Sequence, residues 1–203
     1  MGGFSLVELM LSLSLGLMLS GVMLQGLMAE GQNGTRFSRL LRERAAQRRT
    51  LELVKGDLAR ALAVSATPEQ EQHACGLSGR IPLLHLITAA GPITYSVGRA
   101  PSSIWRGRVL MRCGPAFDLN GGLSVGSNAL NRVVIDGLAE QPSAWQGCSA
   151  RAGTDLAGSS RQGFSICLQP ESGLIGLRLL QELGDPVRDR PQRIEIETVA
   201  ALP

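Results

Sequence analysis

The chain has 203 residues, a formal net charge of +3, 44% hydrophobic residues and only one Tyr, two Trp and four Phe, which suits one Leu-, Val- and Ile-cored domain plus an appendage. The charge is unevenly placed: from Gly31 to Val64 seven Arg and Lys55 oppose Glu43, Glu52 and Asp57, whereas from Ser65 onward twelve Arg oppose twelve Asp and Glu. A C-terminal region that is neutral overall gives no reason to expect nucleic acid as a partner, and its apolar patterning argues against disorder.

The first element is an apolar run of 25 residues, Phe4 to Met28, in which Glu8 is the only charge. As a helix it would rise about 38 Å, enough to cross the ~30 Å hydrocarbon layer with tilt. Gly16, Gly21 and Gly26 are tolerated in membrane helices and leave small faces for close helix approach. A cleaved signal peptide fits poorly, because the run is long and Met1-Gly2-Gly3 carries no basic residue. Read near the bilayer midplane, the Glu8 carboxylate would cost roughly 2.5 to 3.5 kcal/mol, so a partner is expected for it.

Residues 30–34, EGQNG, read as a break or loosened turn. A second helical pattern follows, in which Phe37, Leu40, Leu41, Ala45, Leu51, Val54, Leu58 and Leu62 recur at spacings of three and four around a polar gap at Gln47 and Arg48. Arg39–Glu43 and Arg48–Glu52 are candidate i,i+4 pairs. Arg36, Arg39, Arg42, Arg44, Arg48 and Arg49 flank the apolar run on its C-terminal side. These arginines read either as a solvated helix face or as a docking surface for acidic groups on a neighbouring subunit. By the positive-inside rule they would retain the C-terminal domain in the cytoplasm.

From Thr67 the periodicity changes. Short apolar or alternating runs, bounded by Gly, Pro and Asn, predict strands at 83–88, 93–97, 109–113, 132–136, 164–168, 174–180 and 193–199. PESG, 170–173, reads as a hairpin turn, and Ser143 to Gln162 as a long surface loop. The expected fold class is α+β, a long N-terminal helix whose second half packs on an antiparallel sheet. The domain boundaries are a leader at 1–3, a membrane-spanning assembly helix at 4–29, an amphipathic helix at 30–66 and a β-rich domain at 67–203.

Cys75, Cys113, Cys148 and Cys167 are even in number, lie in the C-terminal domain and form no C-x-x-C pair. They read as two disulfides of an exported domain, with sequential pairing preferred among the three possible. His73 and Cys75 lack a complementary ligand pair, so no metal and no cofactor is expected. GLSVG, 122–126, matches G-x-S-x-G with Ser124 at the nucleophile position, but both histidines, His73 and His85, precede it, and the corresponding triad needs one after it. DLNGG, 118–122, lacks the closing Glu of a calcium loop and reads as a turn. No catalytic role is expected.

Gly3, Phe4 and Glu8, at the head of a membrane-length apolar run, resemble the N-terminal motif of the type IV pilin and pseudopilin family. The resemblance implies cleavage by a prepilin peptidase between Gly3 and Phe4, N-methylation of Phe4, and Glu8 as the fifth residue of the mature chain. There it would pair with the α-amino group of an adjacent subunit during assembly. Residues 43–64 further resemble the helix of minor pilins and J-type pseudopilins, with Lys55, Asp57 and Leu58 forming a basic-x-Asp-Leu step. The implied partners are other pilin or pseudopilin subunits, the prepilin peptidase, the inner-membrane assembly platform and the lipid bilayer. The implied location is the bacterial inner membrane, single-pass with the C-terminal domain outside the cytoplasm, and then the filament. The cysteines and the motif agree on that side, and the expectation follows them rather than the arginines. The alternative from another class is an uncleaved single-span protein with a binding or sensor domain.

Overall fold

The computed structural model describes residues 5–150, 152–169, 171–184 and 191–202, with the side chains of 29–33 and 36 outside that description. The chain divides into two compact units, Met1–Ala45 and Ala46–Pro203.

Helix α1 spans Leu6–Leu58. It continues through residues 30–34, where a break was expected, so the Gly and Asn there lower local helix propensity without interrupting the backbone. The stretch from Leu6 to Met28 is predominantly apolar, with a mean hydropathy of 1.9, and none of it is buried.

In the second unit, Gln47, Thr50, Leu51, Val54, Asp57 and Leu58 are buried. Their spacings of three and four place them on one helix face, the face that meets the sheet. Within this unit the stripe differs from the sequence pattern, because Leu62 is exposed while Gln47, read as a polar gap, is buried. Burial of Gln47 is compatible with its chemistry, since its Nε2 donates to the Ile194 carbonyl at 3.0 Å. The helix ends at Leu58 rather than continuing to residue 66 as expected, and Ala61–Val64 instead forms strand β1. Pairing with β2 (Ala61↔Thr88, Val64↔Leu86) wins over the helical spacing of Leu58 and Leu62.

Strands β2 (Ile81–Thr88), β3 (Gly91–Arg99), β4 (Arg108–Gly114) and β5 (Leu130–Leu138) continue an antiparallel meander from β1. Strands β7 (Phe164–Gln169), β8 (Leu174–Leu183) and β9 (Gln192–Ala201) cover the other three predicted strands, with β8 paired to both β7 and β9. Between β7 and β8 the turn closes through the Gly173 N–H on the Gln169 carbonyl, with Gly173 at φ +64°. With the two-residue strand β6 (Thr154–Asp155), the strands among the described residues join in one sheet ordered β1-β2-β3-β4-β5-β8-β7-β6, with β9 beside β8.

The seam between the two halves is narrow. Strands β5 and β8 share the single register pair Leu138↔Gln181, reinforced by Gln181 Nε2 donating to the Asp136 carbonyl at 2.7 Å. Gly163 sits against this seam, and a Cβ there would lie 2.8 Å from Leu138 Cβ and 3.0 Å from the Ala139 nitrogen. The core beneath the sheet joins Leu51, Val54 and Leu58 of α1 to Leu84, Leu86, Ile93, Tyr95, Phe164, Ile166 and Leu177.

The region 143–162 is not a bare surface loop. It contains helix α2 (Gln146–Ala150), the short strand β6 (Thr154–Asp155) and a 3-10 turn (Leu156–Arg161), and it buries Trp145, Cys148, Leu156 and Ser159.

Candidate functional site

Two places concentrate unusual chemistry: the exposed apolar segment at the head of α1, and the polar cluster through which the end of α1 is held in the sheet. The first is all side chain and no cover. Leu6 is 76% exposed and Met18 74%, and the large residues between them are similar. A contiguous apolar surface of this kind marks a lipid or protein contact rather than a water-facing helix. By length and composition Leu6–Met28 can cross a bilayer. Its serines are compatible with that medium, because Ser12, Ser14 and Ser20 donate to carbonyls three or four residues back, at 3.0, 2.9 and 2.8 Å.

Glu8 lies in the first turn of α1, near one end of the apolar segment and not at its midpoint. The insertion cost is therefore lower than a midplane position implies. A local partner is also present. The Ser5 N–H donates to Glu8 Oε2 at 3.4 Å, and the Val7 N–H donates to Ser5 Oγ at 3.3 Å. Ser5-Leu6-Val7-Glu8 thus has the Ser-x-x-Glu form of a capping box, and a carboxylate at this end also suits the helix dipole. The signal for it in the sequence is Ser5 three residues before Glu8. The other motif positions, Gly3 and Phe4, lie outside the described residues, as does the side chain of Arg36.

Asp57, flagged in the sequence only as part of a basic-x-Asp-Leu step, proves to be a fully buried carboxylate. It accepts from the Tyr95 hydroxyl at 2.6 Å, from Arg112 Nε at 2.6 Å and from Arg112 Nη2 at 3.3 Å. Arg112 spends a further N–H on the Pro115 carbonyl at 3.0 Å and lies 4.7 Å from the Phe117 ring centroid. Burial works against the Arg112 charge, but hydrogen bonding and attraction to Asp57 outweigh it and raise its pKa. Burial, followed by the Asp57 charge, pushes the Tyr95 hydroxyl well above the ordinary value of 10.0. Charge-assisted bonds in a dry interior fix geometry strictly, so this cluster sets the rotation and axial position of the α1 end on β3 and β4. Lys55 pairs with Glu52 at 3.0 Å; Glu52 therefore turns to Lys55 rather than Arg48.

A second polar cluster adjoins the connector before β2. His73 and His85 both bond Thr94 Oγ1 through Nδ1, at 3.1 and 2.9 Å, with ring centroids 5.6 Å apart. Burial lowers the His85 pKa against the attraction of Glu71, with His73 assisting. Directly opposite Thr94 in the β3–β4 register lies Cys113, bonded to Cys75. The second disulfide is Cys148–Cys167. It ties α2 to β7 beneath Trp145, whose indole N–H donates to Glu197 at 2.6 Å.

Ser124 lies in an irregular stretch between β4 and β5, where its N–H donates to the Ala116 carbonyl at 2.8 Å. Asp118 Oδ1 accepts from the N–H groups of Asn120 and Gly122, both at 2.8 Å, which is side-chain turn chemistry. Among the described residues no group of three or more His, Cys, Asp or Glu is placed to hold a metal ion.

The chain thus combines an apolar helix able to span a membrane with an antiparallel, disulfide-bonded sheet domain. No family model, curated protein or solved structure matches it.

Proposed function

We propose that this chain is a structural minor subunit of a type IV pilus or a type II secretion pseudopilus. In this reading it is anchored in the bacterial inner membrane by Leu6–Met28, with its disulfide-bonded domain outside the cytoplasm. Prepilin peptidase cuts it after Gly3, Phe4 is methylated, and it joins the filament through α1. The observation that carries the proposal is the wholly exposed apolar stretch Leu6–Met28, with Glu8 its only charge, within the same helix whose C-terminal turns are anchored by Asp57. A soluble helix would bury such a stretch; an assembly helix keeps it for lipid and then for neighbouring subunits.

Glu8 has two tasks under this reading. A carboxylate has about four acceptor sites, and the 3.4 Å bond from Ser5 uses one of them weakly. Cleavage creates a positive α-amino group on Phe4, and in a medium of low dielectric its pairing with Glu8 of an adjacent subunit offsets the desolvation of both charges.

The test separates capping from ion pairing. Glu8→Gln preserves the capping-box chemistry and removes the charge, whereas Glu8→Ala removes both. Both variants are expected in the membrane fraction at normal levels and absent from sheared filaments. Normal filament incorporation of Glu8→Gln would refute the pairing role.

A further inference from the structure

An open groove of about 320 Å³ runs between the outer shoulder of α1 and the β4–β5 pair, walled by Ala46, Arg49, Thr50 and Leu53 on one side and by Arg112, Arg132, Val133, Val134 and Phe117 on the other. Its charge is one-sided, because no carboxylate lines it and three guanidiniums do. Arg112 is neutralised by Asp57. Arg49 and Arg132 are exposed and hold no ion pair among the described residues. Arg132 is moreover the direct cross-strand partner of Arg112. Like charges directly opposite on one sheet face destabilise the pairing unless an anion compensates, and Asp57 compensates only one of the two. Apart from Thr50, the rest of the lining is apolar, supplied chiefly by Leu53, Val133, Val134 and Phe117. A shallow groove with a greasy floor and two unsatisfied cations suits an extended segment that brings a carboxylate beside an apolar side chain.

We infer that this groove is the docking site for an acidic segment of a different subunit of the same assembly. The inference rests on the assembly reading above and adds the chemistry of the partner. A second copy of this chain is a poorer occupant. The chain is net +3, and its stretch from Gly31 to Val64 sets eight basic residues against three acidic. Asp136, Glu182 and Glu195 already hold Arg106, Arg193 and Arg178, so a copy of itself offers this cationic groove poor charge complementarity.

The experiment places the photocrosslinker p-benzoylphenylalanine at Leu53 in the full-length chain, expressed in cells with the complete secretion or pilus machinery. Irradiation of the isolated assemblies is followed by mass mapping of the adduct. The expected result is an adduct with another polypeptide at a segment carrying Asp or Glu. The adduct should fall at least tenfold in the R49E/R132E background while that variant keeps its place in the assembly. Lys replacement of the mapped acidic residue should restore it. The milder R49Q/R132Q pair, expected to reduce the adduct several-fold, guards against a folding defect. Four results overturn the inference. An assembled chain that gives no adduct, or an adduct indifferent to charge reversal, removes the groove and leaves the assembly reading standing. An adduct with a second copy of this chain overturns the choice of occupant. Absence of the unmodified chain from the assembly refutes the assembly reading itself and the docking site with it.

Discussion

Removing the Asp57 carboxylate is the most informative single perturbation of the domain. Asp57→Ala leaves Arg112, 5% exposed, with its Pro115 and Phe117 contacts but no counter-charge, and leaves the Tyr95 hydroxyl without its acceptor. Breaking one side of a buried ion pair costs about 3 to 5 kcal/mol, and the orphaned hydroxyl alone accounts for about 1 to 3 of it. Folded domains hold about 5 to 15 kcal/mol in all, and a domain of this size loses about 2 to 4 °C in Tm per kcal/mol. A drop of roughly 6 to 20 °C is expected in thermal melts of the detergent-solubilised chain followed by far-UV circular dichroism. Asp57→Leu with Arg112→Leu removes both charges and should recover most of that loss, since apolar replacement of a complete buried pair is often close to neutral. A loss under about 1 kcal/mol for Asp57→Ala would show that Arg112 finds solvent without strain, and the account of the cluster as the anchor of α1 would be wrong.

Tyr95 is the only tyrosine, so absorbance near 295 nm reads it alone; the signal should stay flat from pH 9 to 11 while the domain is folded and rise only on unfolding. His85, its pKa lowered mainly by burial, stays neutral in the folded state while the unfolded chain takes up a proton near 6.5, so this histidine contributes stability that is full above pH 6.5 and declines as pH falls below it. Urea midpoints at pH 7.5 and 5.5 should differ less in His85→Gln than in the parent chain. Asp136 has a lowered pKa, because its bonds from Arg106 outweigh the opposing burial; its contribution is present above the ordinary value of 3.8 and is lost as pH falls toward its folded pKa, a loss Arg106→Gln should abolish in acid titrations. Opening the Cys75–Cys113 loop, 38 residues in separation, should cost about 4 kcal/mol by the chain-entropy relation, and Cys148–Cys167, 19 residues in separation, about 3, read as shifts in denaturation midpoint for the paired Cys→Ser variants.

The sheet was legible because its strands carry their own signals. RIEIETVA alternates at period two, and each of the seven runs from Leu83 to Val199 is bounded by Gly, Pro, Asn or a turn. What the sequence hid was decided by partners distant in the chain. Residues 61–64 fit a helix as well as a strand until β2 supplies backbone hydrogen bonds to them. Gln47 looks like a gap in an apolar stripe until the Ile194 carbonyl, 147 residues away, accepts its amide. Strands and helices between Ser143 and Gln162 are too short to show a period, so the region read as a loop. In the candidate site, the lone Glu8 was conspicuous for its charge, while its capping role needed the Ser5 three residues back to be noticed. Asp57 carried only a faint local signal, because the residues that give it meaning, Tyr95 and Arg112, lie on other strands.

The central claim, that the head of α1 is a processed assembly segment, is tested most directly by the intact mass and N-terminal sequence of the membrane-extracted chain, from cells with and without prepilin peptidase. The account predicts a chain beginning at methylated Phe4 only where the peptidase is present. A chain that retains Met1-Gly2-Gly3 in both strains would contradict it.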